Sequence, residues 1–222
     1  ADIVSGAALS LPAGKVEEIH FYCAGVMTDQ WRQILADSLK NNFPSVVAEI
    51  EFQSDLVAAA RAVCGHRPGI AAILGTGSNS CHWDGSGIVG HVNTGGFILG
   101  DEGGAARLGK IFISDMIKDM VPPELAEEFA RDHDCSYTAI VTSVYGRGPV
   151  SAPNYLGSFA PFLISHYDHP YIKEMVDTNF RDFFTRQIKR YPALPLGIVG
   201  TFGWVCRDII SGIAAREGLE VS

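Results

Sequence analysis

Apolar and polar residues alternate in two short stretches near the beginning of the chain. In "VEEIHFYCAG" the side chains of Ile19, Phe21 and Cys23 alternate with polar ones, and "SVVAEIEF" is a second such run. Both runs have the pattern of a β-strand. Between them, apolar residues recur at helical spacing at four positions: Trp31, Ile34, Leu35 and Leu39. "SDLVAAARAVCG" then begins with a Ser-Asp cap and ends in glycine, as short helices do. The order strand–helix–strand–helix predicts an α/β sheet.

A second structural unit is predicted after the boundary-like "GHRPG" at residues 65–69. It opens with three antiparallel strands, at 70–75, 79–83 and 87–92. Asp84-Gly85-Ser86 is a hairpin signal between the last two. Residues 122–168 are mostly helical in pattern, and a long helix near 170–191 has a buried apolar face. "LPLGIVGTFG" predicts a last strand, which another helix follows.

Composition and charge narrow the class of protein. The chain has 222 residues, of which 47% are hydrophobic and 19% charged, as in ordinary globular proteins. A net charge of −8 without a Lys/Arg run excludes a general nucleic-acid binder, although backbone amides could still bind nucleotide phosphates. No apolar stretch approaches the roughly 20 residues of a membrane helix, so no membrane partner is expected. Five cysteines without a CxxC pair favour free thiols and a cytoplasmic location.

Two familiar nucleotide-binding motifs match the sequence but lack the required context. Residues 104–110 fit GxxxxGK, yet the next residue is Ile111 instead of a hydroxyl residue, and the match lies inside a helical pattern. Residues 85–90 fit GxGxxG, but they lie in the predicted hairpin and no helix follows. The histidines form no strong metal-binding pattern; His166 and His169 flank a predicted helix break.

Three segments carry candidate chemistry, and each has a structural alternative. The turn from Gly75 to Asn79 is suited to an oxyanion, but it is equally compatible with a structural turn. Asp55 follows a strand, where α/β proteins place ligands, and its alternative role is a helix N-cap. Residues 100–104, "GDEGG", place two acids before a helix, which suits either the helix dipole or a ligand.

Together these segments resemble the N-acetylglucosamine kinase group of the sugar kinase–actin–heat-shock ATPase superfamily, also called BadF/BadG-type ATPases. The specific signatures are "ILGTGSNS" and "LGDEGGAARLGK", in this order and with a short hairpin between them. "IVGTFGWVCRDII", "FYCAG" and "SDLVAAARAVCG" match more weakly. The resemblance extends from about Val16 to about Gly218.

The resemblance implies an α/β fold of two actin-like (ribonuclease H-like) ATPase domains with a cleft between them. Residues 1–67 would be the C-terminal part of the first domain, which is incomplete in this chain. Residues 68–222 would be the second domain, with a helical insertion. The cleft of this family takes ATP, Mg²⁺ and the sugar. A small-molecule amino sugar is therefore the expected partner, and a homodimer is compatible with the family.

The resemblance also implies a role for each matching residue. Asp55 would be the general base, and Asp101 would hydrogen-bond sugar hydroxyls. Ser78 and Asn79 would extend the phosphate turn toward the sugar. The nucleotide-binding residues would be Gly75, Thr76 and Gly77 at the phosphates, and Gly200 and Thr201 at the adenosine. No residue of this chain is assigned to a metal.

The sequence departs from the family in two places. The first phosphate loop, an Asp-Gly-Gly-Gly-Thr-Lys-Thr-like hairpin whose aspartate helps to hold magnesium, is absent from this chain. "TGGFILG" replaces a glycine segment that carries a tryptophan in the family, which leaves the identity of the sugar open.

Four functions follow from the resemblance. The first is an ATP-dependent kinase that phosphorylates the 6-hydroxyl of N-acetylglucosamine. The second is a kinase of a related sugar, such as glucosamine or N-acetylmuramate. The third is an ATPase that activates a dehydratase through a bridging iron–sulfur cluster, a reading that Cys64-Gly65 keeps open. The fourth is a sugar sensor that has lost catalysis.

Overall fold

The computed structural model describes residues 18–24, 28–42 and 49–221. The chain divides into two compact units, Ala1–Ala58 and Ala59–Ser222. The parts of the first two predicted strands at residues 16–17, 25 and 45–48 lie outside the described residues. The predicted domain boundary at residue 67 stays a prediction.

The first unit contains a strand–helix–strand arrangement. Strand β1 (Glu18–Cys23) and strand β2 (Glu49–Ser54) pair in parallel, from Glu18 opposite Glu49 to Cys23 opposite Ser54. Helix α1 (Asp29–Asn42) lies between them in the chain, as parallel pairing requires a crossover connection. Helix α2 (Asp55–Cys64) begins directly after β2. The predicted order of two strands and two helices is confirmed.

The second unit is built on a four-stranded sheet in the order β5-β4-β3-β6. Its strands are β3 (Gly69–Leu74), β4 (Ser78–Trp83), β5 (Ile88–His91) and β6 (Leu196–Val199). β3, β4 and β5 are antiparallel as predicted, and β6 lies parallel to β3. The predicted hairpin is confirmed, because Asp84 Oδ1 accepts the Ser86 and Gly87 N–H groups, both at 2.8 Å.

Helices connect β5 to β6 and complete the second unit. In chain order they are α3 (Gly96–Leu99), α4 (Ala105–Met116), α5 (Pro123–Asp132), α6 (Tyr137–Tyr145), α7 (Ala152–Gly157), α8 (Ala160–Ser165), α9 (Pro170–Arg186), the 3₁₀ turn Ile188–Arg190, and, after β6, α10 (Thr201–Val205) and α11 (Arg207–Arg216). The mostly helical pattern over 122–168 is confirmed. The two rejected nucleotide-binding motifs lie as expected. The GxxxxGK match is at the start of α4, and the GxGxxG match is in the β4–β5 hairpin.

The core of the second unit lies between the sheet and helix α9. β3 is central and almost wholly buried, because β4 and β6 flank it on both sides. α9 contributes Phe180, Phe183 and Phe184, which are fully buried on the face that the sequence predicts. Phe112 of α4 meets Phe129 of α5 edge to face, with ring centroids 4.9 Å apart. These large aromatic side chains give a rigid base to the turns at the ends of β3 and β6.

Among the described residues, no helix has both the length and the apolar character needed to cross a membrane.

Candidate active site

The turn that follows β3 is held by the beginning of helix α4. The carbonyl oxygens of Gly75 and Thr76 accept the N–H groups of Ala105 at 3.0 Å and Ala106 at 2.9 Å. In a trans peptide the N–H points opposite to the C=O of the same plane, so the Thr76 and Gly77 N–H groups point away from α4. The first amides of α4 are therefore engaged with the turn itself. An anion would have to be bound by the amides of the turn instead.

The turn also contacts the glycine segment at residues 100–104. A Cβ atom on Gly77 would lie 2.7 Å from Asp101 Oδ2 and 3.0 Å from Asp101 Cγ. The backbone N–H of Ser78 donates a hydrogen bond to the same carboxylate. The close approach that the sequence predicts for Gly77 is therefore present, and its partner is a side chain of this protein.

Asp101 has an unusual backbone and a half-buried side chain. Its φ is +58°, in the left-handed region that few residues other than glycine adopt. Its N–H donates to Thr94 O at 3.2 Å, and its own carbonyl accepts the Gly104 N–H at 2.9 Å. Burial raises the pKa of the Asp101 carboxyl, the Ser78 N–H opposes this, and the negative charge of Glu102 raises it further. The carboxylate is thus held in one place by contacts on several sides.

Asn179 of α9 holds the other end of the glycine segment, and the sequence analysis did not select it. Its side chain is fully buried; Oδ1 accepts the Gly103 N–H at 3.1 Å, and Nδ2 donates to Gly104 O at 3.2 Å. Arg107 donates to the same Oδ1 at 3.1 Å and to Asp182 at 2.6 Å. A signal was present in the sequence, because Asn179 stands on the apolar face of α9, three positions after Val176 and one before Phe180. A polar residue there has to find buried partners.

A pocket of about 520 Å³ brings together two turns that are far apart in the sequence. Gly75 and Thr76 line it from the turn after β3, and Thr201 lines it from the turn after β6. The two turns meet because Gly200, with φ +109°, lies so close to the end of β3 that a Cβ atom would be 2.3 Å from Leu74 O. No other residue than glycine fits at this position.

Beyond the residues of the two turns, the wall of this pocket is apolar. It is formed by Ala105, Gly157, Ala160, Pro161, Ile164, Phe202 and Val205. The Phe202 ring is supported from behind by Phe180 of α9, with centroids 5.8 Å apart. A pocket that joins a polar glycine turn to apolar lining residues suits a ligand with both an anionic and an apolar part. The pocket combines the predicted residues Gly75, Thr76 and Thr201.

Ser78 and Asn79 point to opposite faces of β4, as successive strand residues do. Ser78 is buried, and its hydroxyl accepts a hydrogen bond from Gln187 Nε2 at 3.1 Å. Asn79 Oδ1 accepts from His91 Nε2 at 3.0 Å and from the Ser80 N–H at 2.9 Å. Ser78 therefore reaches Asp101 through its backbone, and its hydroxyl is engaged elsewhere. The role of these two residues toward a sugar stays a prediction.

Asp55 is the first residue of α2, in the first compact unit. The helix is capped by the preceding residue, because the Ser54 hydroxyl accepts the Val57 N–H at 3.3 Å. Burial raises the pKa of the Asp55 carboxyl, which the N–H groups of Leu56 and of Asp55 itself partly oppose. The carboxylate is half-buried, and the Ser-Asp pair shares the cap, because the serine accepts the Val57 N–H and the aspartate accepts the Leu56 N–H. The role of Asp55 as a base stays a prediction.

Histidine, cysteine and acidic side chains occur at several places in the part of the chain that the structure describes. Within it, no group of three His, Cys, Asp or Glu side chains is arranged to hold a metal ion. His166 and His169 instead donate to Glu128 and Glu124 of α5, both at 3.2 Å. All five cysteines are free thiols, as predicted, and Cys64 is buried at the end of α2.

Two solved structures are similar to this chain. One is a Porphyromonas gingivalis protein, provisionally named an N-acetylglucosamine kinase, which is 38% identical over 93% of this chain and 72% of its own, with a TM-score of 0.85. The other is a Chromobacterium violaceum protein of the same provisional name, which is 22% identical over 95% of this chain and 74% of its own, with a TM-score of 0.68. The second likeness supports the fold. No family model matches the chain, and no curated protein matches it. The identity and coverage of the first likeness, together with the two signatures at the turn after β3 and at Asp101, show that the chain belongs to the N-acetylglucosamine kinase family.

Proposed function

We propose that the protein is an ATP-dependent kinase that phosphorylates an amino sugar, with N-acetylglucosamine as substrate and its 6-hydroxyl as acceptor. The observation that carries the proposal is the shared pocket of the two glycine turns, with Asp101 packed against the first of them. Kinship to a sugar-kinase family makes ATP the expected phosphoryl donor. The same kinship makes a small sugar the expected acceptor.

In this proposal the pocket binds the nucleotide. The Thr76 and Gly77 amides, which point away from α4, would donate to the phosphate oxygens, and the exposed Thr76 side chain lies at the same place. The adenine ring would lie on the apolar wall near Ile164 and Val205, with Gly200 and Thr201 beside the adenosine. Backbone amides suit this role in an acidic protein, because they bind an oxyanion without needing lysines.

Asp101 and Asp55 would act on the sugar. The Asp101 carboxylate would accept hydrogen bonds from sugar hydroxyls, and Asn79 would support the same ligand. Asp55 would take the proton from the sugar 6-hydroxyl while the 6-oxygen attacks the γ-phosphorus of ATP. The new O–P bond forms while the P–O bond to ADP breaks. Positioning and electrostatic stabilisation supply most of the rate in phosphoryl transfer, and a general base adds to it.

Magnesium is implied by the family, but the described residues that line the nucleotide pocket do not fit a metal site, because none of them is a carboxylate.

The test is a kinase assay on the protein at its natural length. We expect ADP formation that depends on N-acetylglucosamine, with glucosamine and N-acetylmuramate as slower acceptors, and a phosphorus NMR signal of a sugar 6-phosphate. ATP hydrolysis that no sugar stimulates would contradict the proposal and favour an ATPase activator. Sugar binding without nucleotide binding would contradict it and favour a sensor.

A further inference from the structure

Gly75 and Gly77 belong to the same turn, but their surroundings differ. A Cβ atom on Gly75 would find no atom within 4 Å, and Gly75 lines the nucleotide pocket. A Cβ atom on Gly77 would lie 2.7 Å from Asp101 Oδ2, closer than real Cβ atoms approach an oxygen. Neither residue has a positive φ, so backbone strain does not explain why glycine stands at either position. The presence of glycine at both positions therefore has to be explained by the groups that each side of the turn faces.

The Asp101 carboxylate has little freedom to retreat from an added side chain. The Ser78 N–H holds the carboxylate itself. The Asp101 backbone is fixed by hydrogen bonds to Thr94 O and from Gly104 N–H, and a Cβ atom on Gly104 would lie 2.9 Å from Gly77 Cα. The turn and the glycine segment therefore pack backbone against backbone. A methyl group on Gly77 would push the carboxylate away from its hydrogen bond to Ser78.

We propose that Gly77, whose N–H serves the nucleotide, is through its Cα side a positioning residue for the sugar, acting through Asp101, whereas Gly75 serves the nucleotide alone. The proposal rests on the proposed function, in which Asp101 binds sugar hydroxyls and the pocket at Gly75 binds ATP. It divides one continuous phosphate-binding signature, Gly-Thr-Gly, between two ligands. A side chain at Gly77 would disturb the sugar site more than the nucleotide site, because the Asp101 carboxylate already fills the space next to the Gly77 Cα.

The first experiment compares Gly75→Ala with Gly77→Ala by calorimetry, using N-acetylglucosamine and a non-hydrolysable ATP analogue as probes. We expect Gly77→Ala to weaken sugar binding by about tenfold or more, the effect of overpacking a tight contact, with a smaller change for the analogue. Gly75→Ala should show the reverse selectivity. Equal losses of both ligands in Gly77→Ala, or loss of the analogue alone, would overturn the proposal.

The second experiment tests the contact itself and needs no ligand. Gly77→Ala is placed in an Asp101→Gly background, in which the carboxylate is absent and glycine adopts the positive φ without strain. The fall in melting temperature that Gly77→Ala causes in the natural background should disappear there. A fall of the same size in both backgrounds would overturn the proposal, because the added methyl group would then be meeting something other than Asp101.

The two experiments separate this inference from the proposed function. If the natural protein binds neither probe, the proposed function fails. The melting-temperature comparison still decides whether Gly77 positions Asp101.

Discussion

The proposed function assigns chemistry to two acids, Asp55 and Asp101. The contacts that the two carboxylates make differ. Each is half-buried, and burial raises the pKa of each carboxyl. Asp101 has a left-handed backbone, and its carboxylate is held between Gly77 and the Ser78 N–H. Asp55 begins a regular helix, in which the Ser54 hydroxyl accepts the Val57 N–H and the Asp55 carboxylate accepts the Leu56 N–H.

The difference indicates that the two carboxylates have different roles. A carboxylate whose position is set by several contacts is suited to bind a ligand in one orientation, because little freedom is lost on binding. A carboxylate whose pKa is raised by burial, and whose capping role a neighbouring hydroxyl shares, is better suited to take up a proton. Substitutions of these acids and of the cap residue test this contrast, and they are given from the largest expected effect to the smallest.

Asp55→Asn should abolish most of the activity while leaving the fold intact. Asparagine cannot accept the proton of a sugar hydroxyl, and loss of a general base typically lowers the rate by about 10²–10⁴-fold. The helix keeps its Ser54 cap, so the melting temperature should stay nearly unchanged. Steady-state kinetics measure the activity, and thermal melting measures the stability of the fold. A lower melting temperature with kcat intact would show that the carboxylate serves the fold.

Asp101→Asn should weaken sugar binding with a smaller effect on kcat. A hydrogen bond to a charged group contributes about 1.5–3 kcal/mol, so the sugar KM should rise by roughly ten- to a hundredfold. Asp119→Asn is the matched control, because Asp119 also has a positive φ, +54°, but is exposed. If both variants raise KM equally, the effect comes from the left-handed backbone and not from the Asp101 carboxylate.

Ser54→Ala should destabilise the protein more than Asp55→Asn does. Removing an N-cap hydroxyl costs about 1 kcal/mol of unfolding free energy. Ser136→Ala offers a comparison of the same kind, since the Ser136 hydroxyl caps α6 by accepting the Ala139 N–H at 3.3 Å. Urea denaturation measures both. A larger loss of stability in Asp55→Asn than in Ser54→Ala would return the capping role to the aspartate.

The smallest expected effect is a pH dependence that Asp55 contributes. Its pKa is raised in the folded protein, so the acid limb of kcat/KM, which reports the free enzyme, should lie above the ordinary aspartate value of 3.8. The folded state then binds the proton more readily than the unfolded state, and the contribution of Asp55 to stability falls as pH rises between the two pKa values. Asp55→Asn should therefore be at least as stable as the natural protein at neutral pH, and the difference should shrink in acid. An acid limb at or below 3.8 would show that this carboxylate is not the base.

Local patterns were sufficient for the secondary structure and for selecting the candidate residues. The strands, the Asp84 hairpin, the long helix α9 and the glycine exit at Gly200 could be predicted, because each depends on residues close together in the chain. The family signatures around Gly75 and Asp101 could also be recognised without a structure. Asn179 could have been suspected from its place on an apolar helix face, but not its partners.

The sequence by itself determined the α/β elements, the family and the candidate residues of the site. The tertiary structure alone decided which of them meet: Gly77 packs on Asp101, and Gly75 and Thr201 share a pocket. It also assigned Asn179 to Gly103 and Gly104. The reason is physical. A residue type limits the contacts that a side chain is able to make, whereas packing of distant segments selects the contact that forms.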